Sequence, residues 1–155
     1  MTTVQPPSVE TDLQELSEDD CRLLLDQTSV GRIAFVVDGL PLVLPVNYRW
    51  LNADTGWWVL LRTRPGNAID GAPREVAFEI DGIDELRHEG WSVLLSGVLH
   101  HLDHNEIELM RTRFDPSPWP QLDRSSWLAI KPRVITGRRL RTTESGWQFS
   151  SRAYL

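Results

Sequence analysis

Trp57 to Asp70 reads WWVLLRTRPGNAID, and the reading of this run decides how the rest of the chain is organised. It opens apolar and aromatic through Trp57, Trp58, Val59, Leu60 and Leu61, the composition of a buried strand. Within one residue it switches to Arg62, Thr63 and Arg64, followed by Pro65-Gly66-Asn67. A Pro-Gly corner after a strand predicts a turn into a short helix, with Pro65 near its first turn. A helix start offers free backbone N–H groups, here those of Asn67 and Ala68, and a partial positive charge. Arginine adds permanently charged, bidentate donors suited to phosphate. The functional expectation is a phosphate seat at the strand exit. The competing reading is an ordinary strand end with solvated arginines, because the run fits no strict phosphate-loop pattern.

Towards the N-terminus, Leu40 to Tyr48 reads as a strand with Leu42, Leu44 and Val46 on one face. Pro41 and Pro45 cannot donate to a ladder, so this strand is expected at an edge or with bulges. Asp38-Gly39 is a hairpin signal that joins it to a strand over Gly31–Val37. Ser17 with Asp20 three residues later starts a helix carrying Cys21 and Leu23 to Leu25, on which Cys21 reads as packing. Residues 1–15, with Pro6-Pro7 and scattered acids, read as a flexible arm ahead of one domain over 16–155.

Towards the C-terminus, Glu75–Ile80 and Trp91–Leu99 read as strands around a charged connection. Asp103 with Glu106 forms a capping box for a helix over 105–114. Asp115 to Pro120 is a stiff loop containing Trp119, and Ser126–Ile130 and Val134–Leu140 read as the last two strands. Six or seven strands in hairpin order, with few helices, imply a mainly β protein built as an antiparallel barrel.

Composition narrows the function. A net charge of −6 argues against general nucleic-acid binding, which needs a basic footprint. Lys131, Arg133, Arg138, Arg139 and Arg141 nonetheless form a basic strip suited to a small anion. No apolar run has signal-peptide or membrane-spanning length, and one cysteine excludes an internal disulfide, so a cytoplasmic location is expected. No G-x-S-x-G elbow is present for a hydrolase. His100, His101 and His104 invite a metal reading, but strand alternation sends His100 and His101 to opposite faces, and no metal site is expected. Asp81, Asp84, Glu85 and Glu89 read as a solvated loop.

In order along the chain, the sequence carries Val30-Gly31-Arg32-Ile33-Ala34-Phe35 and then Pro45-Val46-Asn47-Tyr48. Leu61-Arg62-Thr63 with Pro65-Gly66, Val76-Ala77-Phe78-Glu79, Gly90-Trp91-Ser92-Val93 and Thr136-Gly137-Arg138-Arg139 follow. As a set these resemble the pyridoxamine 5'-phosphate oxidase-like family of flavin-binding split barrels. The resemblance implies a six-stranded antiparallel split barrel and a homodimer with two cofactor sites between the subunits. It places Arg62 and Thr63 on the flavin phosphate, with Leu61, Arg64, Gly66 and Asn67 around them. Pro45, Val46 and Asn47 follow the isoalloxazine edge through backbone groups. Glu79, Trp91 and Ser92 reach the ribityl chain and ring, and Trp119, Arg138 and Arg139 come from the second subunit.

The implied activity is an oxidoreductase in which flavin mononucleotide (FMN) exchanges hydride between a nicotinamide donor and a small organic substrate, the cofactor carrying the chemistry. Many family members have a lysine in the turn where this chain has Asn67 and Ala68. Loss of that ammonium removes about 1.5–3 kcal/mol, which leaves FMN, a deazaflavin, haem or an empty pocket as alternatives. In the haem version His100 or His101 is the axial ligand of a non-catalytic binding protein.

Overall fold

The computed structural model describes residues 10–113 and 125–143. Seven strands and two helices follow one another as β1 (Glu10–Glu15), α1 (Glu18–Gln27), β2 (Val30–Val37), β3 (Leu40–Ala53) and β4 (Gly56–Thr63), then β5 (Arg74–Asp84), β6 (Glu89–His101), α2 (His104–Arg113) and β7 (Ser126–Thr143). The sheet order is β1-β7-β4-β3-β2-β5-β6, and β7 also pairs with β6, so six strands close a ring and β1 lies outside it. All pairings are antiparallel. The mainly β split barrel expected from the sequence is the fold of the protein.

Closure is partial, and the register shows where it fails. β7 pairs with β4 only over Ser126–Ile130, whereas its ladder with β6 runs from Leu128 to Leu140. β3 divides its length in the same way, with Leu40–Asn47 on β2 and Tyr48–Ala53 on β4. The ring therefore opens between β3 and β4 beyond the Tyr48–Leu61 pair. Tyr48 N–H donates to Ser29 O at 3.0 Å, so alternation turns the backbone of Pro41 and Pro45 away from β2, towards the open edge. A residue without an N–H costs nothing there. The prolines mark an edge, as anticipated, and the β2–β3 register is continuous without a bulge.

Alternation also sorts the core. Ile33, Tyr48, Phe78, Ile80, Val93, Leu95 and Leu99 point inward with Val59, Leu61, Leu128 and Ile130. α1 adds Cys21, Leu24 and Leu25 to that interior, and its start is capped as expected by Asp20 N–H on Ser17 Oγ at 3.1 Å. Gly137 makes this packing possible, since a Cβ there would stand 2.5 Å from Cys21 Sγ. A second cluster, Leu51, Trp58, Leu60, Trp127 and Ala129, lies on the outer face of β3, β4 and β7. Met110 of α2 covers it. Asp103 and Glu106 make the reciprocal capping bonds of that helix at 2.9 and 2.8 Å.

Three sequence expectations need correction. Residues 10–15 are not free arm, because they pair with Arg138–Thr143 as β1. The two final strands are one: Ser96 faces Val134 while Gly97 faces Pro132, so Arg133 is an extra residue in a β-bulge. Pro132 interrupts the sequence pattern, but a bulge absorbs a proline without ending the strand. The charged connection after β5 is also shorter than read, since β5 continues to Asp84 and β6 begins at Glu89.

Tyr48 ties α1 to the barrel. Its hydroxyl donates to Leu25 O at 2.7 Å and lies 2.5 Å from Thr28 Oγ1, and its ring meets Phe78 edge-on. Burial pushes its pKa up to about 12, against about 10 in an unfolded chain. A raised folded pKa gives stability that is full below pH 10 and is lost as the pH climbs through 12. Tyr48→Phe is expected to cost about 1–2 kcal/mol at neutral pH. Urea titrations from neutral to strongly alkaline pH should then show this gap closing between pH 10 and 12.

Candidate functional site

The ring opens beside the residues that the sequence singles out. β4 ends at Thr63, with Arg62 opposite Trp127 and Thr63 opposite Ser126 on the β7 side. On the β3 side the ladder has already stopped. Pro45, Val46 and Asn47 thus border one side of the gap and Arg62 and Thr63 the other. Neighbouring strand residues face opposite ways, so the two halves of the proposed phosphate grip are split. Arg62 lies on the outer face, its guanidinium 4.8 Å from the Trp127 ring. Thr63 turns inward and is 1% exposed. Its Oγ1 is buried without a hydrogen-bond partner, alone in this respect in the run from Arg62 to Asn67. An unpaired buried hydroxyl is costly, and a ligand oxygen in the gap relieves it.

The Pro-Gly corner differs from the expected helix start. Only Ala68–Asp70 are helical, as one 3-10 turn, with Asn67 as the cap and Pro65 outside it. Asn67 N–H is not free, since it donates to Arg64 O at 3.1 Å. Gly66 N–H donates to Asp70 Oδ2 at 2.8 Å. Arg64 is exposed at the rim, whereas Val46 and Leu61 are core side chains that offer the site only their backbone.

Of the remaining site residues, Pro45, Glu79 and Ser92 share the outer face, whereas Trp91 alternates with Ser92 and packs against the core cluster. Pro45 pairs with Arg32 on β2, and Arg32 pairs with Glu79 on β5. Two strand spacings, roughly 10 Å, therefore separate Pro45 from Glu79 on the outside of one continuous sheet. Arg32 Nη1 is 3.0 Å from both Glu79 Oε2 and Asp81 Oδ1, which fixes the two carboxylates between the groups. Glu79, Trp91, Ser92 and Arg138 then line a cavity of about 760 Å³ with Leu13 of β1 and Leu140 of β7. Trp91 lies flat on Gly82, where a Cβ would come within 2.6 Å of the indole nitrogen. Arg139, opposite Trp91 on β7, lines a smaller adjoining cavity. Trp119 lies outside the described residues.

Beside this row runs a second one, Val43–Ala34–Ala77–Ser96–Val134, five strands wide and made of small or apolar side chains. Val43 and Val134 are exposed on it at 61 and 55%, and Val36 (62%) and Leu94 (48%) stand one pair to either side on the same face. Exposed apolar side chains thus adjoin the row that carries Arg32 and Glu79.

The two histidines at the end of β6 differ in their surroundings. His101 Nε2 lies 2.9 Å from Asp70 O, and a carbonyl can only accept, so this nitrogen carries the proton and is no metal ligand. His100 Nε2 is buried without a hydrogen-bond partner, and its ring meets that of Trp58 in a T-shaped contact at 5.6 Å. Burial holds the His100 pKa below its ordinary value, with the Lys131 charge adding to the effect. Among the described residues no group of three His, Cys, Asp or Glu side chains is placed to hold a metal. No described helix is long and apolar enough to cross a membrane. The acidic loop is not simply solvated: Asp84 Oδ1 accepts from Leu86 and Arg87 N–H, and Glu89 Oε1 from Thr142 N–H.

Sequence reasoning missed Arg32 as the bridge and Asp70 as the anchor of Gly66. Both stood inside quoted runs. The four-residue spacing from Gly66 to Asp70 was the one available signal, and it is common to many turns.

With this geometry in place, the chain belongs to the pyridoxamine 5'-phosphate oxidase family, whose description matches residues 17–139. It is 29% identical over 141 residues to the uncharacterized protein Rv0080 of Mycobacterium tuberculosis, covering 86% of this chain and 90% of the relative. The FAD binding protein from Mycobacterium smegmatis superposes with a TM-score of 0.70 at 32% identity, over 83% of this chain and 98% of that one. A FAD-binding protein from Mesorhizobium loti shares the fold at a TM-score of 0.62 and 21% identity, over 84% of this chain and 98% of that one.

Thr63→Val removes the stranded hydroxyl at constant shape. Thermal unfolding of the ligand-free variant should show stability unchanged or raised by about 1 kcal/mol. A clear loss would mean that the hydroxyl serves the fold.

Proposed function

We propose that the protein is a flavin-dependent oxidoreductase that works as a homodimer. The flavin nucleotide, FMN or FAD, lies along the outer face from the β3–β4 gap to the β5–β6 cavity. The unpartnered Thr63 Oγ1 beside two arginines is the observation that carries the reading. A ligand oxygen entering the gap meets this hydroxyl from the inner side and Arg62 from the outer, with Arg64 at the rim. Pro45 and Asn47 direct backbone groups at the ligand's edge, and Glu79, Trp91 and Ser92 surround the part that reaches the cavity. The bound flavin supplies hydride transfer, and the protein supplies position, field and exclusion of water. The FAD bound by the M. smegmatis relative supports this choice of cofactor over haem. A deazaflavin fits the same contacts, since it differs within the ring and not in its anionic tail.

A site on an outer face is open to solvent on one side, and the apolar band beside it supplies the cover. A second copy seated on Val36, Val43, Leu94 and Val134 would roof the flavin and bring its own Arg138 and Arg139 towards the ring. A nicotinamide donor and a small organic substrate then share the remaining opening.

Freshly purified protein should show the two-band flavin absorption, or acquire it on adding FMN, FAD or a deazaflavin, and should elute as a dimer. Arg62→Ala is expected to weaken flavin binding about tenfold to a hundredfold, the loss of one charge-assisted bond. A colourless monomer that binds none of these cofactors would sink the reading.

A further inference from the structure

The corner after β4 contains an anion of its own. Gly66 has φ +77°, a left-handed conformation that turns its N–H towards the inside of the bend. Bends of this kind make small concave nests that take up phosphate or carboxylate oxygens. Here Asp70 Oδ2 sits in the nest, 2.8 Å from Gly66 N. Ile69 N–H is likewise taken, by Asn67 Oδ1 at 3.3 Å, so the amides a phosphate needs already have acceptors. Asp70 is held there by the protein around it. His101 donates to its backbone carbonyl at 2.9 Å and lies 3.7 Å from its Oδ1, and the neighbouring Ile69 is buried in the core. The bond from Gly66 keeps the carboxyl below the ordinary carboxylate range, so it is ionised at neutral pH.

A fixed negative charge at this point discriminates between phosphates. A terminal phosphate monoester carries a charge of about −1.5 to −2 near neutral pH. Each phosphorus of a dinucleotide's diphosphate carries a single ionised oxygen, spread over a longer linker. The monoester concentrates its charge where Asp70 repels it, and the lysine that would offset the repulsion is absent from positions 67 and 68. We infer that Asp70 is a specificity-determining residue that makes this corner select the flavin dinucleotide over the mononucleotide. The inference rests on the flavin reading above and adds to it the form of cofactor chosen and the side chain that chooses.

The test titrates the full-length protein with FAD and with FMN, followed by quenching of flavin fluorescence. Wild type should bind FAD about tenfold or more tightly than FMN. Asp70→Asn keeps an oxygen for Gly66 N–H and removes the charge. It should tighten FMN by about tenfold and change FAD by less than about threefold. Asp70→Glu keeps the charge and should retain the wild-type preference, which separates charge from damage to the turn. Equal FAD and FMN affinities in wild type would overturn the inference, as would an equal shift for both ligands in Asp70→Asn or tighter FMN binding in Asp70→Glu. Binding of neither flavin by wild type would overturn the flavin reading itself.

Discussion

β7 has β4 and β6 as neighbours over its first residues, and β1 in place of β4 over its last six. This change of partner along one strand governs the molecule. A ring whose strands were each hydrogen-bonded on both edges for their full length would have no opening. Here β3 has β2 along Leu40–Asn47 and β4 along Tyr48–Ala53, and β7 exchanges β4 for β1 along one edge. The result is a barrel with a sound interior and a seam, and a site built at the seam has its backbone groups released by geometry alone. Asn47 and Thr63 each keep a ladder partner on one edge, Val30 and Ser126, and are released on the other.

The seam also explains why the site is a face. Arg62, Asn47, Pro45, Arg32 and Glu79 are outward residues on four adjacent strands, brought into line by register. Inward neighbours such as Val46 and Leu61 fill the core and fix the strands from which the outward ones project. Stability and binding therefore draw on alternate residues of the same segments, so substitutions at adjacent positions should have unlike effects.

Much of this arrangement is legible in the sequence. The hairpin over Asp38-Gly39 and the helix starts at Ser17 and Asp103 are local signals, and all of them survive folding. What is not legible depends on pairing over distance. β1 carries no strong strand signal, and its register on β7, with Asp12 opposite Arg141 and Glu15 opposite Arg138, exists only in the folded chain. Pro132 reads as a stop because nothing local announces that β6 tolerates a bulge opposite Ser96 and Gly97. In the corner, the sequence shows a strand exit rich in donors, but the anion that occupies Gly66 arrives through a side chain four residues away.

β1 has one more implication, for solubility. Its pairing with Arg138–Thr143 covers the edge that β4 leaves bare, and it presents Asp12, Gln14 and Glu15 outward. Long uncovered strand edges recruit other chains, and charge on the outermost strand discourages this. A truncation or a bulky fusion that displaced the first fifteen residues would uncover a ready template for sheet growth. Aggregation of such a protein would then reflect the loss of a guard strand, with the barrel core intact.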